Sequence, residues 1–85
     1  MEEKYLAVFG SYTHTTMLGK ILSDRNIESE MIVTPSKISV GCSRSIRFNS
    51  KDYAEVQSII RENALDCRGI FAKVSYKGYL TYVVV

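Results

Sequence analysis

Lys4-Tyr5-Leu6-Ala7-Val8-Phe9-Gly10-Ser11, leading into Met17-Leu18 and Ile21-Leu22, is the stretch that decides the fold. The unbroken apolar run 5–9 has the length and character of a buried strand, and Gly10 stops it, so a first strand is expected over residues 4–10. Ser11 and Thr13 offer side-chain oxygens to the unpaired N–H groups of a helix N-terminus. Met17, Leu18, Ile21 and Leu22 then recur on one helical face until Asp24-Arg25-Asn26 breaks the pattern. The chain therefore opens strand, then helix.

Residues 27–34 read as a second strand, with Ile27, Met31 and Val33 apolar and Pro35 ending its capacity to donate ladder hydrogen bonds. A loop of small polar residues runs over 35–41, anchored by Ile38 and Val40, and Cys42 closes it. Residues 43–49 alternate, Ile46 and Phe48 against Arg47, as a third strand should. Ser50 and Asp52 are cap candidates for a second helix whose apolar positions are Tyr53, Val56, Ile59 and Ile60, ending near Ala64. Lys77-Gly78 is a turn between two β-rich runs, 70–76 and 79–85, and these form a hairpin. The order β-α-β-β-α-β with an added C-terminal hairpin strand predicts an α+β, ferredoxin-like sandwich, an antiparallel sheet with both helices on one face. Gly19 in the first helix costs up to about 1 kcal/mol relative to Ala, so either a close approach requires it or the helix tolerates it.

At 85 residues the chain is a single domain, 1–85, with a modest core. A hydrophobic content of 46% with nine aromatics, six of them Tyr, supports an ordered globule. The formal net charge of +2, with acids and bases interspersed, lacks the electrostatic footprint of a nucleic-acid binder. The N-terminal apolar run is too short for a signal-peptide core or a membrane span, so a cytoplasmic location with reduced thiols and no membrane association is expected. A structural zinc site needs about four Cys or His ligands at short spacing, so two Cys and one His lead to the expectation of no metal. No organic cofactor is implied.

This topology sends three connections to one end of the sheet. They carry Ser11 and His14, the loop with Ser39, Gly41 and Cys42, and the link with Cys67, which is placed at the end of the second helix. A helix N-terminus at that end favours an anion, and Lys37, Arg44 and Arg47 add positive charge in the chain around Cys42. A thiol in such a field is acidified and more nucleophilic, which makes Cys42 the leading candidate for chemistry. Against this stands its reading as a small apolar residue opening a strand. Cys67 is either a resolving thiol or a helix-end cysteine with no role, and His14 either a base for Cys42 or a solvent-facing first-turn residue. Ser11 and Thr13 are most simply caps. The end Val83-Val84-Val85 reads as an apolar edge, suited to pairing with a second copy in a homodimer.

Phe9 and Ser11, then Pro35-Ser36-Lys37-Ile38-Ser39-Val40-Gly41-Cys42, then Ile46-Arg47-Phe48 resemble a family of small bacterial domains described as selenium/sulfur (Se/S) carrier-like. The resemblance covers roughly residues 5–48, and its specific part is the segment from Pro35 to Cys42. Ser43 stands where the family usually has Gly, and Thr15 and Gly19 replace small and acidic residues of its first helix. What the resemblance implies is a carrier, not a stand-alone enzyme: Cys42 accepts sulfur or selenium as a persulfide or selenosulfide from a donor protein and passes it to an acceptor protein. The competing expectation is a non-catalytic ligand- or protein-binding module on the same scaffold.

Overall fold

A computed structural model describes residues 3–38 and 44–85. The elements are β1 (Lys4–Phe9), α1 (Tyr12–Asp24), β2 (Ser29–Val33), β3 (Arg44–Asn49), a 3-10 turn (Ser50–Asp52), α2 (Tyr53–Glu62), β4 (Cys67–Tyr76) and β5 (Tyr79–Val84). The strands form one five-stranded antiparallel sheet in the order β2-β3-β1-β4-β5. The α+β class, the two helices and the antiparallel sheet are as read from the sequence. The strand order differs from a simple ferredoxin-like sheet, with β5 forming an outer edge beyond β4.

Directly opposed residues share a sheet face. Tyr5, Ala7 and Phe9 of β1 therefore lie level with Phe48, Ile46 and Arg44 of β3 and with Ala72, Ile70 and Cys67 of β4. This is the face on which the core forms. Ala7, Phe9, Ile46, Phe48 and Ile70 pack with Leu18 and Leu22 of α1, Val56 and Ile59 of α2, and Leu65. Tyr5 stands edge-on to both Phe48 and Tyr53, at centroid distances of 6.1 and 5.7 Å.

The helix ends follow local chemistry. Ser11 caps α1, its Oγ accepting the N–H of His14 at 3.3 Å; Thr13 lies inside the first turn. Asn26 takes a left-handed conformation (φ 58°), and Ile27 N–H donates back to Leu22 O at 2.8 Å, closing the C-terminus. Contrary to the expectation for Ser50 and Asp52, neither side chain caps α2; a 3-10 turn over Ser50–Asp52 leads into the helix instead. Lys77 (φ 49°) and Gly78 (φ 84°) are both left-handed, the backbone of a tight two-residue hairpin between β4 and β5.

The other sheet face carries no helix, yet Leu6 and Val8 on it are 5% and 3% exposed. Residues 35–37, after β2, lie against the β4–β5 part of this side. Lys37 Nζ donates to Leu80 O of β5 at 2.5 Å, and Pro35, Ser36 and Lys37 share a cavity with Lys73, Leu80 and Tyr82. Beneath it Thr34 and Ser45 form a buried hydroxyl pair at 2.5 Å.

Candidate functional site

Phe9, the last residue of β1, is opposed on one side by Arg44 and on the other by Cys67. The ends of three strands thus meet where the chain turns from Gly10 into α1. Thr15, fully buried in the first turns of α1, hydrogen-bonds through Oγ1 to Ser11 O at 2.9 Å and reaches Arg44 O at 3.5 Å. That contact seats the N-terminal end of α1 against the start of β3. Ser11, His14, Arg44 and Cys67 therefore belong to one end of the sheet. Ser39, Gly41 and Cys42 lie outside the described residues.

Cys67 is not at a helix end. It is the first residue of β4, and the register slips by one residue between Val8 and Phe9, so that Arg68 is the extra residue of a bulge. Its half-buried thiol donates to Gly69 O at 3.5 Å. It lines a shallow cavity of about 300 Å3 with Gln57, Ile60, Arg61, Gly69, Ile70, Val84 and Val85. Burial pushes the Cys67 thiol above the ordinary cysteine range against a smaller downward pull from backbone groups at Gly69 and Val8, and the Asp66 carboxylate adds the least, upward. Such a thiol is mostly protonated at neutral pH and is a poor nucleophile.

His14 is half-buried, and its Nδ1 accepts the backbone N–H of Asp66 at 2.8 Å. Neutral imidazole has one acceptor nitrogen and one N–H. With Nδ1 accepting, the proton sits on Nε2, so the ring's basic nitrogen is already engaged by the main chain. His14 is thus a tether between α1 and the link into β4.

The cations are distributed differently from the sequence expectation. Arg47 projects to the helix-free face and is ion-paired with Glu30, and Lys37 reaches away to the β5 backbone. Arg44 stays at the Phe9 end of β3. It is joined by Arg68, which sequence reasoning missed: a Cβ at Gly10 would come within 2.5 Å of the Arg68 guanidinium, so that group lies directly over the β1–α1 turn. Arg68 Nε also lies 3.6 Å from Asp66 Oδ2. The only local signal for it was Gly69, whose φ of 146° accompanies the bulge.

The fold and this end of the sheet define a small α+β protein in which Arg44, Arg68, the N-terminus of α1 and the half-buried thiol of Cys67 lie at one end of the sheet. The chain belongs to the family described as "Putative Se/S carrier protein-like", whose model matches residues 4–72. No match emerges among curated proteins or among solved structures. Among the described residues, no helix is long and apolar enough to cross a membrane.

Proposed function

We propose that the protein is a sulfur or selenium carrier whose acceptor atom is Cys42 Sγ, on a ferredoxin-like split β-α-β scaffold extended by β5. Family membership supports the carrier role. The observation that favours Cys42 over Cys67 is the setting of Cys67: its half-buried thiol, pushed above the ordinary cysteine range by burial, donates to Gly69 O, which suits packing and not attack. Cys42 is the remaining thiol, one residue before Ser43 and two before Arg44. Arg44, two residues along the chain from Cys42, brings positive charge of the kind that favours a thiolate.

In the transfer step, Cys42 thiolate attacks the outer sulfur of a donor protein's persulfide. A new S–S bond forms at Cys42, the donor's S–S bond breaks, and the donor cysteine leaves as thiolate. No net oxidation occurs. The reverse geometry serves delivery: an acceptor nucleophile takes the outer sulfur and Cys42 leaves as thiolate. The acceptor nitrogen of His14 is already engaged by the Asp66 N–H, which argues against the imidazole as the activating base.

Intact mass spectrometry after incubation with a cysteine desulfurase and cysteine tests this. A sulfur adduct is expected on the wild type and on Cys67→Ser, and none on Cys42→Ser. A folded wild type without an adduct, or an adduct confined to Cys67, refutes the reading. The alternative, a non-catalytic binding module, has one observation in its favour: a cavity of about 570 Å3 on the helix-free face, lined by Glu3, Lys4, Leu6, Ile32, Arg47, Lys73 and Tyr82. Slow alkylation of Cys42 at neutral pH would fit only that alternative.

A further inference from the structure

The outermost strand, β5, lies in a run of seven uncharged residues, Tyr79-Leu80-Thr81-Tyr82-Val83-Val84-Val85. Of the exposed large hydrophobic side chains among the described residues, Tyr76, Tyr79, Leu80, Val83, Val84 and Val85 all belong to this last hairpin. Folded proteins ordinarily protect such an edge with charge, proline or a bulge. The opposite edge is protected in that way: β2 carries Glu30, paired with Arg47, and directly follows Glu28, paired with Lys4 at 3.7 Å.

The backbone of β5 can be read from one bond. Val85 donates its N–H to Ile70 O at 2.9 Å. Because antiparallel ladders alternate, Thr81 and Val83 point their N–H and C=O groups at β4, whereas Leu80, Tyr82 and Val84 point theirs outward. The bond from Lys37 Nζ to Leu80 O agrees with this, and a carbonyl oxygen retains a second lone pair.

We infer that β5 pairs antiparallel with β5 of a second copy of this chain about a two-fold axis at Tyr82, joining two sheets into one of ten strands. In that register Tyr82 faces Tyr82, Leu80 faces Val84, and on the other face Thr81 meets Val83. The outward N–H and C=O groups of Leu80, Tyr82 and Val84 are all used. Lys37, whose Nζ sits on Leu80 O at this edge, is about four strand residues, roughly 14 Å, from its counterpart, and within β5 no charged pair opposes itself. Lys73, level with Tyr82 on β4, is three strand spacings, about 14 Å, from its counterpart, beyond a Debye length of about 8 Å in physiological salt. An uncharged strand that meets its own sequence without repulsion fits an isologous contact, which closes both edges at once.

Sedimentation velocity over a concentration series on the full chain tests the register. The wild type is expected to dimerise. Tyr82→Lys and Tyr82→Glu, each placing like charges face to face, should weaken association about tenfold or more, and an equal mixture of the two should restore it. Met31→Lys, on the β2 edge, should leave association unchanged. Circular dichroism reports folding; if the Tyr82 variants unfold, Leu80→Lys mixed with Val84→Glu carries the same test at exposed positions. A wild type monomeric throughout, a dimer indifferent to charge at these β5 positions, or one broken by Met31→Lys overturns the inference. None of these outcomes depends on Cys42.

Discussion

His14 Nδ1 accepts the main-chain N–H of Asp66 across 52 residues of sequence, tying the first turn of α1 to the link that leads into β4. The next two residues, Cys67 and Arg68, open β4, so this bond holds the cationic end of the sheet in register with the helix. His14→Ala should cost about 1 kcal/mol in urea denaturation. It should also accelerate amide hydrogen exchange at Asp66 more than in β1 and β3, whose amides exchange through global unfolding.

The raised thiol of Cys67 makes a pH prediction. Its folded form holds the proton more tightly than the unfolded chain does, so the unfolded state loses that proton first as pH rises. The resulting stability is fully present below the ordinary cysteine range and is lost as pH rises through the higher folded value. Denaturation midpoints of wild type and Cys67→Ala, compared between neutral and strongly alkaline pH, should show the wild type losing the greater stability. Alkylation of Cys67 in the folded protein should be slow at neutral pH.

Thr34 and Ser45 satisfy each other's hydroxyls in a buried setting at 2.5 Å. Ser45→Ala strands the Thr34 hydroxyl and should cost about 1–3 kcal/mol. Removing the second hydroxyl as well, in Thr34→Val with Ser45→Ala, should recover part of that loss. A double-mutant cycle by urea denaturation measures the coupling.

Gly19 has room for a side chain. A Cβ there would meet Ile46 Cδ1 at 3.5 Å, an ordinary van der Waals contact. Gly19→Ala should therefore stabilise the protein by about 0.4–1 kcal/mol, mainly by restricting the unfolded chain. Thermal melts of the two proteins check it, and a destabilised variant would mean that the helix requires the closer approach.

Much of the fold was legible in residue order. The strand at 4–10, the helix face of Met17, Leu18, Ile21 and Leu22, the alternation of Ile46 and Phe48, and the Lys77-Gly78 turn are all local patterns, and local patterns report which side of an element is buried. Cys67 was misplaced because Cys67-Arg68-Gly69 lacks β alternation: the bulge opposite Phe9 breaks it. The caps expected at Ser50 and Asp52 failed because residue type permits a cap without compelling one, and here a 3-10 turn intervenes.

By itself, the sequence determined the element order, the α+β class and the resemblance that singled out Cys42, since these rest on periodicity and on contiguous motifs. Only the tertiary structure decided the surroundings of the candidate site. It engaged the acceptor nitrogen of His14 with Asp66, sent Lys37 to Leu80 and Arg47 to Glu30, and brought Arg68 over Gly10. These partners are separated by 17 to 58 residues, and which distant side chains meet is set by sheet order and register, not by any pattern within one segment.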